Sequence, residues 1–223
     1  TLASHNNRAG RHAGDACYRA QMLAAEYLGD DEGKNTRIVA EIQTDLQKAF
    51  DTVRRFIPVQ KGRQENYTLD SLALALQSYR WQRRICLGEM VSKAMWPTRG
   101  LTAGSATAVA ELALLLNSAI KYLQQALPKS LHYVHVDHIS TTMFSTSYEG
   151  LEEQARIAGE IYKQEFQDKA GLLFAPEKTF VLASTDKAAR NVQQAAVQMG
   201  ATGSVKKLGQ DYYFGTKKTG AEK

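Results

Sequence analysis

The pattern of hydrophobic and polar positions predicts a strand near the start of the chain. Residues 37–44 read RIVAEIQT, which puts the apolar positions 38, 40 and 42 on one face and Glu41 and Gln43 on the other. This period of two is typical of a strand with one buried face. Directly after Asp45, the sequence can begin a helix over residues 46–56.

A hairpin is predicted with strands over residues 131–136 and 139–144. These strands flank the two-residue loop Asp137-His138 and contain several β-branched and aromatic residues. If the valines of the first strand pack against helices, the loop aspartate points to the opposite face of the sheet.

Helical periodicity covers most of the remaining chain. Helices are predicted over residues 16–27, 69–90, 105–127 and 151–169, and a last one starts near Thr185 and stops at Gly200. Ser105 is predicted to cap one of them, and residues 58–66 are predicted to form a polar loop. Short strands are predicted over residues 179–183 and 205–214. This order predicts an α+β fold in which one face of the sheet packs on helices and the other stays open.

Composition and charge narrow the class of protein. The 223-residue, 24.7 kDa chain has 43% hydrophobic and 23% charged residues, which excludes wholesale disorder and fibrous repeats. Two cysteines, Cys17 and Cys86, exclude a disulfide scaffold and fit a reducing, intracellular compartment. The net charge of +5 is a mild bias toward polyanions, part of it concentrated in Arg80, Arg83 and Arg84.

No membrane partner is expected from the apolar segments. The longest apolar run, residues 106–120, is interrupted by polar residues and is shorter than the roughly 20 apolar residues that span a bilayer. Both tryptophans, Trp81 and Trp96, are expected in the core or in an interface, and both cysteines as small buried residues. The sequence does not indicate an oligomeric state.

Two aspartates have positions that suit metal chemistry. Asp45 ends the first predicted strand and Asp137 lies in the hairpin loop, so neighbouring strands can bring the two carboxylates together. Paired carboxylates can hold one or two hard divalent cations, which clamp the attacking and leaving oxygens of a phosphoryl displacement. The spacing alone also fits Asp45 as a helix N-cap and Asp137 as a turn residue.

Six segments resemble, in order, the motifs of reverse transcriptases of the non-LTR retrotransposon and group II intron type. The most specific is DLQKAFDTV at residues 45–53, which resembles motif A, D-x-x-K-A-F-D-x-V. The others are similar to motifs B to E and to the segment between fingers and palm: GLTAGS at 100–105, YVHVDHI at 133–139, GLLFAPEKT at 171–179, KLG at 207–209 and RAGR at 8–11. The likeness covers nearly the whole chain.

The resemblance implies a right-hand polymerase palm on a ferredoxin-like split β-α-β core, with part of the fingers. Residues 1–36 would form the end of the fingers and their junction with the palm, and residues 37–223 the palm with motifs A to E. The thumb would be absent. We therefore expect the chain, which starts at Thr1, to belong to a longer protein.

The implied activity is RNA-directed DNA polymerisation, in which a deoxynucleoside triphosphate is added to a DNA primer on an RNA template. Asp45 and Asp137 would bind Mg²⁺ together with the backbone carbonyl of Leu46. His138 stands where the family has a second aspartate, so it would join the metal site, lower its negative charge and favour Mn²⁺. Lys178 would stabilise the departing pyrophosphate or give it a proton, although a solvated lysine fits the same position.

The resemblance also implies substrate-binding roles for residues outside the metal site. Phe50 would be the steric gate that excludes a 2′-hydroxyl, although its spacing also fits an ordinary core residue. Arg8 and Arg11 would contact nucleotide or template phosphates, and a solvated basic loop is the alternative. Gly104 and Ser105 would let the backbone approach the template and the nascent base pair.

Departures from the family pattern leave other functions open. Besides His138, Ala103 stands at the position of the usual glutamine in motif B. The alternative function is a catalytically decayed reverse-transcriptase-like domain that only binds nucleic acid. A third possibility is an unrelated α+β protein, which would hold Asp45 and Asp137 far apart.

Three histidines within seven residues suggest another alternative, a zinc or iron site. Strand alternation argues against it. It predicts His132 and His138 on one face of the hairpin and His135 on the other, so the three side chains would not converge.

Overall fold

The fold combines an antiparallel sheet with helices, which confirms the predicted α+β class. The computed structural model describes residues 13–29, 37–195, 206–207 and 210–211. The strands are β1 (Ile38–Asp45), β2 (Cys86–Leu87), β3 (Met90–Val91), β4 (Leu131–His135), β5 (His138–Ser145), β6 (Phe180–Ala183), β7 (Lys206–Lys207) and β8 (Gln210–Asp211). The main sheet has the order β4-β5-β1-β6, and β2–β3 and β7–β8 are separate hairpins.

Helices pack against this sheet and against one another. They are α1 (Ala13–Gly29), α2 (Ala49–Thr52), α3 (Phe56–Gln64), α4 (Leu69–Ser78), α5 (Ala108–Ala126), α6 (Tyr148–Ile161) and α7 (Asp186–Ala195). α6 continues as a π-helix over Tyr162–Lys169, and a 3₁₀ turn covers Pro176–Lys178. Among the described residues, no helix is long and apolar enough to cross a membrane.

The apolar face of β1 packs into the main core, as its alternation predicts. Ile38, Ala40 and Ile42 are fully buried and belong to one cluster with apolar residues of α5, α6 and α7. Burial of each large aliphatic side chain stabilises the fold by about 1.5–3 kcal/mol. This packing fixes β1, and with it the strand end that carries Asp45.

The second face of the sheet is covered, so the prediction that it stays open is wrong. Glu41 and Gln43 are completely buried or nearly so. Helix α1 contacts β1, β4 and β5, and Val39 packs with Ala24 of α1 and Leu182 of β6. The Gln43 amide donates a hydrogen bond to the Glu41 carboxylate (3.2 Å). Polar residues on a strand therefore did not mark a solvent-facing surface here, because hydrogen bonding makes their burial possible.

The polar segment 58–66 is largely helical and not the predicted loop. It forms most of α3, and Pro58 fits in the first turn because its missing N–H is not needed there. Ile57 is buried, and Gly62 lets α4 approach closely, since an added Cβ would lie 3.1 Å from Leu72. The small contact face of α3 explains why its polar composition is misleading.

The helix predicted over residues 69–90 ends at Ser78. The backbone carbonyl of the next residue, Tyr79, accepts a hydrogen bond from Arg55 (2.8 Å), and the chain then leaves the helix for the β2–β3 hairpin. Trp81 and Trp96, expected in the core or an interface, are 68% and 69% exposed in this chain. Cys86 is also exposed, contrary to expectation, and the side chain of Cys17 lies outside the described residues.

The β4–β5 hairpin forms as predicted, but its turn lies one residue earlier. The loop is Val136-Asp137, and His135 pairs directly with His138. Val136 has a φ of 55°, in the left-handed region that is unfavourable for a β-branched residue. The shift places His138 on the same face as His135 and opposite to His132. The predicted grouping of His132 with His138 is therefore wrong.

Ser105 does not cap α5. The N-cap residue is Thr107, and the Ser105 hydroxyl instead accepts a hydrogen bond from the hydroxyl of Tyr79 (3.2 Å). This contact joins the loop before α5 to the end of α4.

A buried hydrogen-bond chain connects β4, β5 and the π-helix. The Tyr162 hydroxyl lies 2.7 Å from that of Thr141, which lies 3.0 Å from Nδ1 of His132. The other ring nitrogen of His132 lies 3.4 Å from the carbonyl of Leu127. This chain is complete when His132 is neutral and donates from Nε2. Burial lowers the pKa of His132 to about 4 from its ordinary value of 6.5.

We predict that acid destabilises the fold through His132. Below pH 6.5 the unfolded chain binds a proton that the folded chain does not accept until about pH 4. The free energy of unfolding should therefore fall by up to about 3 kcal/mol as the pH decreases through this range. Urea unfolding between pH 7 and 4 measures the effect. The His132→Asn variant, which keeps an acceptor near Thr141, should lose less stability over the same range, and equal losses would contradict the assignment.

Candidate active site

Three side chains form a row across the sheet at the end of β1. Asp45 pairs with His138 of β5, which in turn pairs with His135 of β4. Directly opposite residues in neighbouring strands share a face of the sheet. Within the described chain, Nδ1 of His135 and Nε2 of His138 are buried without a hydrogen-bond partner. The predicted turn grouped His138 with His132, so the sequence did not indicate that His138 and His135 lie side by side.

Asp137 lies beside this row at the adjoining strand end. The backbone N–H of Leu46 donates to the carbonyl of Asp137 (2.9 Å). On the other side of β1, the N–H of Ala175 donates to the carbonyl of Asp45 (2.9 Å). The hairpin turn and the segment before the 3₁₀ turn thus flank the end of β1. Segments that resemble motifs A, C and D meet at this point.

The Asp45 carboxylate contacts two basic side chains. One oxygen lies 3.3 Å from Nδ1 of His138, and the other accepts a hydrogen bond from Nζ of Lys178 (3.1 Å). Burial raises the pKa of Asp45, but the hydrogen bonds and charges of His138 and Lys178 outweigh it, so the pKa lies below its ordinary value. Asp45 is therefore ionised at neutral pH.

Lys178 is held near both aspartates by its short 3₁₀ turn. Its backbone N–H donates to the carbonyl of Ala175, and the hydroxyls of Thr179 and Thr44 form a buried contact (2.8 Å) that fixes the turn on β1. The hydrogen bond to Asp45 and the charge of Asp45 raise the pKa of Lys178, and the charge of Asp137 adds to the effect. The Lys178 side chain is itself exposed, so a ligand can reach it while it is paired with Asp45.

The oxygen donors at this strand end fit a hard cation that arrives with its own ligands. In the described residues, no group of three or more histidine, cysteine, aspartate and glutamate side chains is arranged to hold a metal ion. Mg²⁺ usually binds through one or two carboxylates together with substrate phosphates. Asp45 and Asp137 can supply such carboxylates, while Lys178 provides a positive charge near Asp45.

The loop at residues 100–105 packs directly against α2. The N–H of Leu101 donates to the carbonyl of Phe50 (2.7 Å), and that of Gly100 to the carbonyl of Val53 (2.8 Å). Gly100 has a φ of 87°, and an added Cβ would lie 2.9 Å from the carbonyl oxygens of Phe50 and Asp51. Only glycine satisfies both conditions. The segments that resemble motifs A and B are therefore in contact.

The predicted binding residues of these segments have different environments. Phe50 is partly buried and packs against the main core. Gly104 is exposed, has a φ of 85° and has open space where a Cβ would stand. Ser105 is partly buried and contacts Tyr79. Arg8 and Arg11 lie outside the described residues.

Arg55 is a structural residue that the sequence did not single out. Its buried guanidinium donates to the carbonyls of Tyr79 (2.8 Å), Pro97 (2.8 Å), Gly100 (2.9 Å) and Arg99 (3.0 Å). Burial lowers the pKa of Arg55, and the charges of nearby arginines lower it further. Arg55 joins both ends of the β2–β3 region to the start of the motif-B-like loop. Its position two residues after the motif-A-like segment was the available signal.

Comparison with solved structures identifies telomerases as structural neighbours. Telomerase from Candida tropicalis in complex with the TWJ fragment of telomeric RNA superposes with a TM-score of 0.56 and 13% identity, over 78% of this chain and 30% of that chain. The fold is reverse-transcriptase-like. At this identity the likeness shows the fold alone, and the chain spans about a third of its neighbour's length.

Two further telomerase structures have lower scores. Apo telomerase from Candida tropicalis truncated from its C-terminal domain has a TM-score of 0.47 and 11% identity, over 77% of this chain and 35% of that chain. Telomerase from Candida albicans in complex with the TWJ fragment has a TM-score of 0.46 and 12% identity, over 77% and 30%. No protein-family model and no curated protein sequence matches the chain.

Proposed function

We propose that this chain is the palm of an RNA-directed DNA polymerase. The observation that carries the proposal is the meeting of Asp45, Asp137 and Lys178 at one strand end. Asp45 and Lys178 form an ion pair, and Leu46 is hydrogen-bonded to Asp137. The reverse-transcriptase-like fold supports it independently. The motif-A-like and motif-D-like segments, which supply Asp45 and Lys178, favour the non-LTR retrotransposon and group II intron type.

The reaction is a nucleotidyl transfer. The 3′-oxygen of a DNA primer attacks the α-phosphorus of a deoxynucleoside triphosphate, the bond between that phosphorus and the bridging oxygen breaks, and pyrophosphate leaves. The hydroxyl proton passes from the primer oxygen to water. Lys178, which is already cationic beside Asp45, stabilises the negative charge on the leaving pyrophosphate.

Asp45 and Asp137, with the carbonyl of Leu46, would hold Mg²⁺ in this site. A bound divalent cation supplies neutralisation of the triphosphate charge and stabilisation of the transition state. Asp45 is ionised and partly buried, so it can bind a cation without first losing a proton. His138 would be a neighbouring donor in the place of a second carboxylate, and its imidazole makes Mn²⁺ an acceptable substitute.

The remaining residues would position the substrates. Phe50 would pack under the deoxyribose and exclude a 2′-hydroxyl, for which its position on α2 beside Leu101 is suitable. The open backbone at Gly104 and the adjacent Ser105 would lie near the RNA template and the nascent pair. Arg8 and Arg11 would contact phosphates.

Primer extension tests this function. The longest natural form of the protein that contains this chain should add deoxynucleotides to a DNA primer annealed to RNA, and chelation of divalent cations should abolish the addition. Ribonucleotides should be added much more slowly. A protein that is folded and binds the template-primer but extends nothing in either Mg²⁺ or Mn²⁺ would contradict the polymerase function.

A second candidate function is nucleic-acid binding without catalysis. The observation that favours it is the environment of Asp45, because both carboxylate oxygens are already in contact with the basic residues His138 and Lys178. A decayed site of this kind keeps the fold and loses the reaction. It predicts RNA binding that is insensitive to chelation, together with no primer extension.

We predict that His138 sets the metal preference of the polymerase. The wild-type protein should extend a primer faster in Mn²⁺ than in Mg²⁺, because an imidazole replaces one hard oxygen donor. The His138→Asp variant adds a carboxylate next to Asp45 and should increase the Mg²⁺-supported rate by about tenfold or more. Extension rates measured across both metals test this. A clear preference of the wild type for Mg²⁺ would reject it.

A further inference from the structure

The segment between α4 and the motif-B-like loop has an unusual surface. Every residue from 80 to 91 is exposed. Large apolar side chains in residues 80–99 face solvent instead of the core, with exposed fractions of 46–71%: Trp81, Ile85, Leu87, Met90, Val91, Met95 and Trp96. Exposed apolar residues that are scattered singly over a surface are ordinary. A concentration of them on one short segment indicates an interaction site.

This segment is an ordered hairpin and not an unstructured loop. Arg83 and Met95 exchange backbone hydrogen bonds of 2.9 and 2.8 Å, and the N–H of Ser92 donates to the carbonyl of Ile85 (2.9 Å). The β2–β3 ladder continues to the turn at Gly88. At its base, the guanidinium of Arg55 holds the backbone on both sides. The fold therefore presents the exposed side chains on a fixed support.

The same segment carries most of the excess positive charge. Residues 79–99 contain five basic residues and one acidic residue, Glu89, in a chain whose net charge is +5. In the part of the chain that the structure describes, none of these five forms an ion pair with an acidic side chain: Arg80, Arg83, Arg84, Lys93 and Arg99. Their charges are thus available to a polyanionic partner.

We propose that the hairpin of residues 80–99 binds single-stranded nucleic acid. Indole rings of Trp81 and Trp96 provide flat faces on which unpaired bases stack, and guanidinium groups of Arg80 and Arg84 contact the phosphates. The hairpin has four more positive than negative charges. This excess favours a polyanion such as nucleic acid over an apolar protein partner. Stacking selects single strands, because the bases of a duplex are already stacked.

The hairpin is connected to the candidate active site. The guanidinium of Arg83 donates to the hydroxyl of Thr102 (2.8 Å), two residues before Gly104. A strand bound to the hairpin would be directed toward the loop at which we place the template, and this direction rests on the proposed function. Binding to the hairpin itself does not depend on Asp45 or on a metal ion.

Binding of labelled single strands tests the proposal. Fluorescence anisotropy with a 20-nucleotide oligo(U) RNA and an oligo(dT) DNA compares the wild type with the Trp81→Ala/Trp96→Ala variant. Loss of two stacking sites should weaken binding by at least about thirtyfold, given about 1–3 kcal/mol per stacked base. The Trp81→Phe/Trp96→Phe variant should recover most of the affinity. Leu74→Ala, a control at an equally exposed residue of α4, should have no effect.

The charged residues have a separate signature. The Arg80→Gln/Arg84→Gln variant should weaken binding and reduce the slope of log K against log salt by about 1.4, since each phosphate contact on a single strand contributes about 0.7. The tryptophan variants should leave this slope nearly unchanged. Arg63→Gln/Arg190→Gln, a charge-matched control on exposed sites of α3 and α7, should have no comparable effect.

Three results would overturn the proposal. One is an affinity within twofold of wild type for both oligonucleotides in the folded tryptophan variant. Another is an equal loss of affinity for a duplex of the same sequence. The third is dissociation of a wild-type oligomer by the tryptophan substitutions without any change in binding, which would assign the hairpin to a second copy of the chain. The RNA and DNA arms identify which strand is preferred, and chelation of divalent cations should leave all these affinities unchanged.

Discussion

Substitution of Asp45 by asparagine is expected to reduce deoxynucleotide incorporation by at least about a thousandfold. The change keeps the size of the side chain but removes its charge and replaces one of the two acceptor oxygens, which face Lys178 and His138, by an amide donor. Loss of one preorganised charged group from a phosphoryl-transfer site commonly costs this much. Single-nucleotide incorporation under saturating substrate measures the effect.

A matched control distinguishes chemistry from folding. Asp51 lies on α2 in the same motif-A-like segment but is exposed, so Asp51→Asn should incorporate nucleotides at close to the wild-type rate. The Asp45 ion pair with the exposed Lys178 contributes little to stability, and Asp45→Asn should change the free energy of unfolding by less than about 1 kcal/mol. Incorporation by Asp45→Asn at the wild-type rate would refute the assigned site.

The Arg55→Ala variant is expected to lose about 3 kcal/mol of stability. One buried guanidinium satisfies four backbone carbonyls, and removal of it leaves these acceptors without their donor and a cavity at the base of the hairpin. For a chain of this length, the midpoint of thermal unfolding should fall by about 10 °C. Thermal unfolding followed by circular dichroism measures the loss.

Two further variants identify the cause. Arg55→Lys keeps the charge, but a single ammonium cannot reach four carbonyls that come from both ends of the segment, so it should recover only part of the stability. Arg54→Ala removes the neighbouring, exposed arginine and should change stability by less than about 0.5 kcal/mol. Equal stability of the Arg54 and Arg55 variants would show that the carbonyl contacts contribute nothing.

The contacts of Arg55 also stabilise the hairpin of residues 80–99. Arg55, at the start of α3, connects the end of α4 to the motif-B-like loop, so a loss at Arg55 should weaken both the candidate active site and the hairpin surface. The tryptophan variants, by contrast, change side chains that are exposed and should not change the site. The two sets of variants therefore separate a structural effect from a binding effect.

Several elements could be predicted from local pattern alone. The alternation over residues 37–44, the apolar stripe of α5 and the β4–β5 hairpin depend on neighbours within a few residues, and the structure has each of them. The motif-like segments around Asp45 and Lys178 were also readable, because their residue types and spacing are contiguous in sequence. Their catalytic and metal-binding roles remain predictions.

Other features could not be read in this way. The turn of the β4–β5 hairpin shifted by one residue, and that shift reversed the face of His138. The second face of β1 is buried because α1 covers it. Polar composition also concealed α3, since only a few of its residues contact the core.

The amino-acid sequence was enough to derive the α+β class, the positions of most strands and helices, and the order of the motif-like segments. This was possible because period and residue type are local properties of a chain. Tertiary packing established that Asp45 contacts Lys178 and His138, that Arg55 donates to four backbone carbonyls, and that Trp81 and Trp96 remain outside the core. Those outcomes depend on which distant segments pack together. The neighbours brought in by packing determine whether a polar side chain finds a hydrogen-bond partner and whether an apolar side chain is buried.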